Sequence, residues 1–421
     1  MLDSLRSAVR IDELRSKLLF TLAMLFVFRI GAHIPVPGVN TEVFAKLLET
    51  GALFGFFDVI SGGAFKNFSI FAMSITPYIN ASIIMQLLTV VIPALERLAK
   101  EGEEGRKKIV QYTRYLTVVL AFIQAIGISF ALRNQHVLVS PTVGHYLLVA
   151  LTLTAGTAFL MWIGEQITEK GIGNGISLLI FAGIVSRVPA GAVRVVEYLQ
   201  AGTINILSVI LLLVIGALVI AAIVAVNEGQ RRIPVQYAKR VVGRRVYGGQ
   251  STHLPLRVNQ AGVIPVIFAS SILMFPEQLA TWFQNTWFGN WYLAFFAWGT
   301  PLHTIIYALL VIGFTYFYTA VIMNPVDIAE NIKKYGGFIP GIRPGRPTAE
   351  YISRVMSRVT LAGAVFLALI AILPNFVLLA TRIPQIYFGG TALLIVVGVA
   401  LDTMKQVESH MLMRSYQGFI R

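Results

Sequence analysis

The chain has 421 residues, 56% of them hydrophobic and 13% charged, with 34 Lys and Arg against 20 Asp and Glu. Soluble domains carry roughly 25% charged residues, so this composition excludes an ordinary water-soluble domain. There is no cysteine, which excludes a disulfide framework, a CxxC site and a thiol nucleophile.

A helix needs about 20 mainly apolar residues to cross a bilayer. In chain order the qualifying stretches are 18–34, 69–92, 110–132, 145–165, 173–189, 203–226, 258–279, 301–323, 356–380 and 384–404. Backbone groups in hydrocarbon must bond internally, and these stretches are too long for barrel strands, so they are expected to be helices. The first seventeen residues are polar and mixed in charge, so the first apolar run reads as a retained span. With the N-terminal tail placed in the cytoplasm, 27 basic residues fall on that side and six on the other, with Arg29 inside the first span. That bias predicts a multi-pass protein with both termini cytoplasmic.

Ten spans divide into two sets of five, and an odd number per half forces the halves into opposite orientation. TPYINASIIM (76–85) and IPVIFASSIL (264–273) share P-x-I-x-A-S-x-I, which pairs Pro77 with Pro265 and Ile79 with Ile267. The predicted fold is an all-α polytopic membrane protein with ten transmembrane helices in two inverted five-helix halves around a central pore. The halves are 1–190 and 191–421, the second with large cytoplasmic loops at 227–257 and 324–355.

The spans are nearly free of ionisable groups, whereas ion-coupled carriers place them in the membrane interior. A hydrophobic constriction fits better, since it blocks ions by dewetting. Candidate constriction residues are Ile75 and Ile79 in the second span, Ile180 and Ile184 in the fifth, Ile267 in the seventh and Ile395 in the tenth. Spacing alone leaves a plainer alternative open, that these side chains face lipid or pack against neighbours. ALFGFFDVISGGAFKNFSIF (52–71) is too apolar for a loop and too broken for a span. It reads either as a re-entrant stopper hinged at Gly62-Gly63 or as an amphipathic helix lying on the outer face. The segment 281–300 holds four tryptophans and no Lys or Arg, which suits an interfacial aromatic belt or a partner contact.

Four stretches carry a resemblance along essentially the whole chain: GGAFKNFSIFAMSITPYINASIIMQLLT (62–89), GIGNGISLLIFAGIV (171–185), the loop and span from GQRRIPVQYAKR to STHLPLRVNQAGVIPVIFASSI (229–272), and NPVDIAENIKKYGGFIPGIRPG (324–345). FGGTALLIVVGVALD (388–402) extends it. The sequence resembles the SecY/Sec61 alpha family of protein-conducting channels. The resemblance implies an hourglass pore sealed by an aliphatic ring, matched by Ile75, Ile79, Ile184, Ile267 and Ile395, with Ile180 as a neighbour. It implies a plug over about 53–67, with Leu53, Phe54, Phe56, Phe57, Val59, Ile60, Gly62 and Gly63. It also implies a gate that opens sideways between the second/third and seventh/eighth helices, where Asn80, Gln124 and Asn259 are similar to the family's polar seam residues. Such a channel passes unfolded secretory polypeptides and releases membrane helices into the bacterial plasma membrane.

The loop 227–257 carries Arg231, Arg232, Lys239, Arg240, Arg244 and Arg245, and the second loop holds Arg343 and Arg346 on Pro- and Gly-framed turns. Arginine on a stiff turn suits bidentate capture of phosphate or carboxylate. These charges also serve as topology signals. The resemblance makes them docking sites for the ribosome and the motor ATPase SecA, with Arg343 foremost. It adds SecE and SecG as accessory subunits, with signal peptides and nascent chains as clients. The positive balance suits anionic lipid, and the expected set holds no cofactor, metal or DNA. The rival class is a secondary transporter of a small solute, which calls for a polar midplane pocket that the spans do not supply. An enzyme is not expected: there is no HExxH, GxSxG or Walker lysine, and GIGNG lacks the dinucleotide-loop spacing.

Overall fold

The computed structural model describes residues 11–41, 43–44, 58, 61–132, 137–138, 142–237, 240–242, 245–247, 251–282, 286–297, 299–381 and 390–418. Only the backbone is described at 131, 240–242, 245–247, 251, 282, 375, 378–381, 390 and 413–418.

Each of the ten expected stretches falls on a helix. In the first half these are α1 (Asp12–Gly31), α2 (Thr76–Val91), α4 (Glu103–Ala131), α5 (Val143–Lys170) and α6 (Gly175–Gln200), with the short α3 (Pro93–Lys100) between α2 and α4. In the second half they are α7 (Ile206–Glu228), α8 (Ile264–Trp282), α10 (Pro301–Ile322), α12 (Arg346–Thr381) and α13 (Gly390–Gly418). Two shorter helices accompany these, α9 (Trp287–Phe296) and α11 (Pro325–Lys334).

Among the described residues, seven helices are long and apolar enough to cross a membrane alone, or eight if α2 and α3, bent by 99°, count as one. This is fewer than the ten stretches that the sequence suggests. In α1 the apolar run shares its helix with Asp12, Glu13, Arg15, Lys17 and Arg29, and in α13 with Asp402, Lys405 and Glu408. The charges of α1 suit its ends: two acids in the first turn and Arg29 in the last complement the helix dipole.

The expected span 69–92 is helical only from Thr76. Residues 61–75 are a string of turns, with positive φ at Gly62, Gly63, Phe68 and Ser74. Pro77 stands at the helix start, where its missing N–H costs nothing. Sixteen residues rise about 24 Å, short of the roughly 30 Å hydrocarbon core. The turns cover the difference, and they are buried almost throughout. Irregular backbone at membrane depth survives only under such protein cover. It pairs with the α1 exit through Val36 N donating to Phe68 O at 2.9 Å and Ile70 N donating to Ile34 O at 3.0 Å.

The helices before residue 201 pack chiefly among themselves, as do those after 205. They meet along two main seams, α8 against α2 and α4, and α13 against α6. Outside the helical body, the loop 227–257 folds rather than merely linking. Strands β1 (Gln230–Tyr237) and β4 (Ser251–Arg257) pair antiparallel, and β5 (Gly337–Phe338) joins β1 from the second loop. Between β1 and β4, β2 (Arg240–Val242) and β3 (Arg245–Tyr247) form their own hairpin. Along β1, Ile233 and Val235 point inward while Arg231 and Arg232 are exposed. The inward residues join Leu256, Ile332, Ile339 and Ile352 in a small core of their own. One hydrophobic unit thus ties both loops to α11 and the start of α12.

Candidate functional site: the apolar waist and its cover

The two proline-matched stretches start their helices identically. Thr76-Pro77 opens α2 and Ile264-Pro265 opens α8, which sets Ile79 and Ile267 at the same position within the first turn. Ile75 and Val263 immediately precede the two helices, and both are buried. Val263 belongs to the same buried cluster as Ile75 and was missed from sequence, although the alignment with Ile75 contains it.

Five of the six candidate isoleucines, Ile75, Ile79, Ile180, Ile184 and Ile395, are buried to 8% exposure or less, and all five belong to one hydrophobic cluster. Ile267 is partly buried and packs against the same cluster. These residues come from α2 and its entry, α6, α8 and α13, so both halves contribute. Ile180 and Ile184, four apart, share one face of α6. Their side chains offer no hydrogen-bonding group and meet by dispersion contact alone.

Of the residues expected in the plug, Leu53, Phe54, Phe56, Phe57, Val59 and Ile60 lie outside the described residues, whereas Gly62 and Gly63 are described. Both glycines have positive φ, +67° and +89°, conformations that side chains rarely adopt. Gly62 also lies so close to α6 that an added Cβ would sit 2.8 Å from Gly183 Cα. Phe65 and Phe68 anchor this segment in a second hydrophobic cluster of the first half, edge-on to Phe44 with centroids at 5.4 and 4.7 Å.

A polar network that the sequence reading missed surrounds Gly62. Arg29 Nη1 of α1 donates to Gly62 O and, at 3.3 Å, to Ser186 Oγ. Asp58, 5% exposed, forms an ion pair with Arg187 of α6, and its Oδ1 accepts from Lys66 N at 2.8 Å. The sequence placed Arg187 near the end of a span at 173–189 and counted it among outer-side charges. In the structure α6 continues through Pro189 to Gln200, so Arg187 lies within a longer helix than the sequence suggests. The available signal was one acid and one base, each set in an otherwise apolar segment.

The three residues expected along the seam make no hydrogen bond to one another among the described residues. Gln124 is buried on α4 and Asn80 is half-buried on α2. Asn259, buried just before α8, donates through Nδ2 to Asn227 Oδ1 of α7 at 2.8 Å.

Of the basic docking residues, Lys239 and Arg244 lie outside the described residues, and Arg240 and Arg245 fall on β2 and β3. Arg343 and Arg346 are exposed. Gly341 and Gly345 frame Arg343 with positive φ, and Thr348 Oγ1 donates to Arg343 O at 2.8 Å, fixing the turn. A further charged patch lies on α3, where Lys100 and Glu96 pair at 2.6 Å. Their hydrogen bond lowers the Glu96 carboxyl and raises the Lys100 ammonium from their ordinary values.

Comparisons with known proteins bear on the fold and the family. The SecY family model matches residues 69–404. A protein translocase subunit SecY from Halalkalibacterium halodurans is 52% identical, with 100% of each chain covered. Among solved structures, one concerns the SecY plug domain, described as stabilising the closed state of the translocation channel and maintaining a membrane seal. It superposes with a TM-score of 0.69 at 21% identity, over 94% of this chain and 92% of that one. Sec61 in the canine ribosome-channel complex from the endoplasmic reticulum gives 0.63 at 19%, over the same shares. With a shared fold, a family match across most of its length and a full-length relative at this identity, the chain belongs to the SecY family: it is a multi-pass protein-conducting translocation channel subunit and not itself an enzyme.

Proposed function

We propose that the six isoleucines form the constriction through which unfolded polypeptide passes, and that the segment around 53–67 closes it from the outer side. The carrying observation is that isoleucines from four helices of both halves converge on one buried cluster instead of facing lipid. Branched aliphatic side chains part around a chain and close behind it, and a dry constriction excludes ions while they do so. Residues 1–190 and 191–421 act as two halves of a clamp.

The exit toward lipid is the seam of α8 against α2 and α4. Amides there, Asn80, Gln124 and Asn259, bias the gate: interhelical hydrogen bonds in lipid contribute about 0.6–2 kcal/mol each, small enough to break in use. Signal peptides and membrane-destined helices leave by this route. The folded loop region, with Arg231, Arg232, Arg343 and Arg346 exposed, docks a polyanionic ribosome or a motor ATPase. SecE and SecG are the accessory subunits. The membrane is the bacterial plasma membrane, with both termini cytoplasmic.

Two experiments test this reading. Because the chain lacks native cysteine, single cysteines at Ile79 and Ile267 give a clean background for crosslinking a stalled secretory chain. Adducts at both sites are expected, with none at a lipid-facing control such as Leu213. Equal labelling of all three would refute the assigned waist. Separately, Arg343→Glu is expected to abolish motor-driven translocation while the protein remains folded in the membrane, and normal export by that variant would remove Arg343 from the docking surface.

A further inference from the structure

We propose that Arg187 and Arg29 are positioning residues for the plug: Arg187, paired with Asp58, and Arg29, clamped on Gly62 O, form a two-arginine latch that holds the closed state. The inference rests on the reading of 53–67 as the plug.

The geometry concentrates at one point. Asp58 is nearly fully buried, and each of its carboxylate oxygens is engaged, Oδ2 by Arg187 and Oδ1 by Lys66 N. Its backbone carbonyl accepts from Gly63 N at 2.9 Å. Four residues on, Gly62 O receives the Arg29 guanidinium. Ser186 joins the two arms, accepting from Arg29 while donating through Oγ to Gly183 O at 2.7 Å. The latch therefore fastens one short segment to two helices, α1 and α6. Among the described residues no carboxylate lies within ion-pair distance of Arg29, so its hold on the segment is the hydrogen bond to Gly62 O. Loss of Arg187 leaves the buried Asp58 carboxylate uncompensated, and loss of Arg29 leaves Gly62 O without that donor.

The placement of Arg187 couples the latch to the waist. Arg187 follows Ile184 by three residues, so the two lie on neighbouring positions of one helix face. A chain that parts Ile180 and Ile184 from Ile267 moves the helix that carries Arg187. Widening the constriction and pulling on the ion pair are then one motion, and the stopper is released only when the waist is already occupied. Breaking a buried ion pair is strongly unfavourable, which gives the resting channel a threshold against spontaneous opening.

The test uses the full chain with its accessory subunits in planar bilayers, reading resting ion conductance. Arg187→Gln and Asp58→Asn are each expected to raise it about tenfold, and the double variant no further than the larger single, because both remove the same pair. The exchange Asp58→Arg with Arg187→Asp is expected to restore most of the seal, which a merely space-filling role would not do. Deletion of 56–66 runs alongside. If the deletion leaks and the single variants do not, the latch is wrong and the plug stands. If the deletion does not leak, both readings fall. Should the single variants not accumulate, Asp58→Cys with Arg187→Cys bridged by a short bis-maleimide linker provides the second measurement. Translocation is expected to stop on bridging, and undiminished transport through a bridged channel overturns the proposal.

Discussion

Helices α5 and α7 are both long apolar spans, yet they stand in opposite relations to the rest of the molecule. α7 is the more apolar, almost unbroken Ile, Leu, Val and Ala, and within the helix only Val219 and Ile223 are buried. Leu207, Leu213 and Leu218 are about two-thirds exposed. α5 is interrupted by Gly156, Gly164, Thr154 and Thr157, all buried, and it packs against α1, α4 and α6. A soluble protein has the reverse order, with its most apolar helix inside. In lipid no hydrophobic force separates helix from solvent, and helices associate through close packing at small residues. The comparison teaches that in this chain hydropathy marks what faces outward, while glycine and threonine mark what is held inside.

The largest test of that contrast is Gly156→Val. A Cβ at Gly156 would collide with the carbonyl of Ile70, backbone that cannot swing away, in the irregular segment 61–75 that leads into α2. Overpacking here is expected to cost about 3 kcal/mol, read as a lowered thermal midpoint of the detergent-solubilised protein. The shifted 61–75 segment is expected to add resting ion leak. An unchanged midpoint would show that α5 is not the tightly packed partner described here.

The same contrast explains what the sequence disclosed and what it withheld. The ten helices were legible because apolar runs of span length are a one-dimensional signal. So were the paired helix starts, since P-x-I-x-A-S-x-I occurs twice and both copies open a helix at the matched proline. Two things were hidden. Residues 69–75 read as span because they are apolar, but the turn at Ser74 and the bonds of Phe68 and Ile70 to the α1 exit are long-range facts that override local character. The partnership of Asp58 with Arg187 joins residues 129 positions apart; each stands out as a charge in an apolar segment, but nothing local tells that the two pair. The folding of 227–257 into a sheet was missed for a similar reason, since a basic loop was read for its charge while the alternation of Ile233 and Val235 went unread. The polar seam residues were matched by resemblance, and the one described bond, Asn259 to Asn227, leads to α7 instead of across the gate.

That bond sharpens the comparison at an intermediate scale. Because α7 packs few of its side chains inward, its attachment includes polar contacts at one end: Asn227 to Asn259, and Glu228 to Lys405 of α13 at 2.8 Å. Asn227→Ala is expected to cost about 0.6–2 kcal/mol, seen as a lower thermal midpoint and as faster proteolysis in the loop that follows α7. Asn259→Ala should cost a similar amount, and the double variant should add little to either single, because the two amides share one hydrogen bond. Additive losses would mean that each amide holds some other partner, and α7 would then be fastened more widely than its exposure indicates.

The smallest effect reverses sign. Gly216 lies in the middle of α7, and a Cβ there would meet nothing within 4 Å. Glycine in a helix interior is about 0.5–1 kcal/mol worse than alanine because its unfolded backbone is freer. Gly216→Ala therefore keeps every contact and removes an entropic cost, so a small gain in thermal midpoint is expected, with translocation unchanged. The identical substitution at Gly156, one methyl group on a helix of the same chain, is expected to destabilise, because the Ile70 carbonyl occupies the space. A matched pair with opposite signs would confirm that the two helices differ in packing and not in hydropathy. A loss at Gly216 would mean that α7 has a close neighbour in the assembled translocase, and the bare face described here would then be a subunit interface.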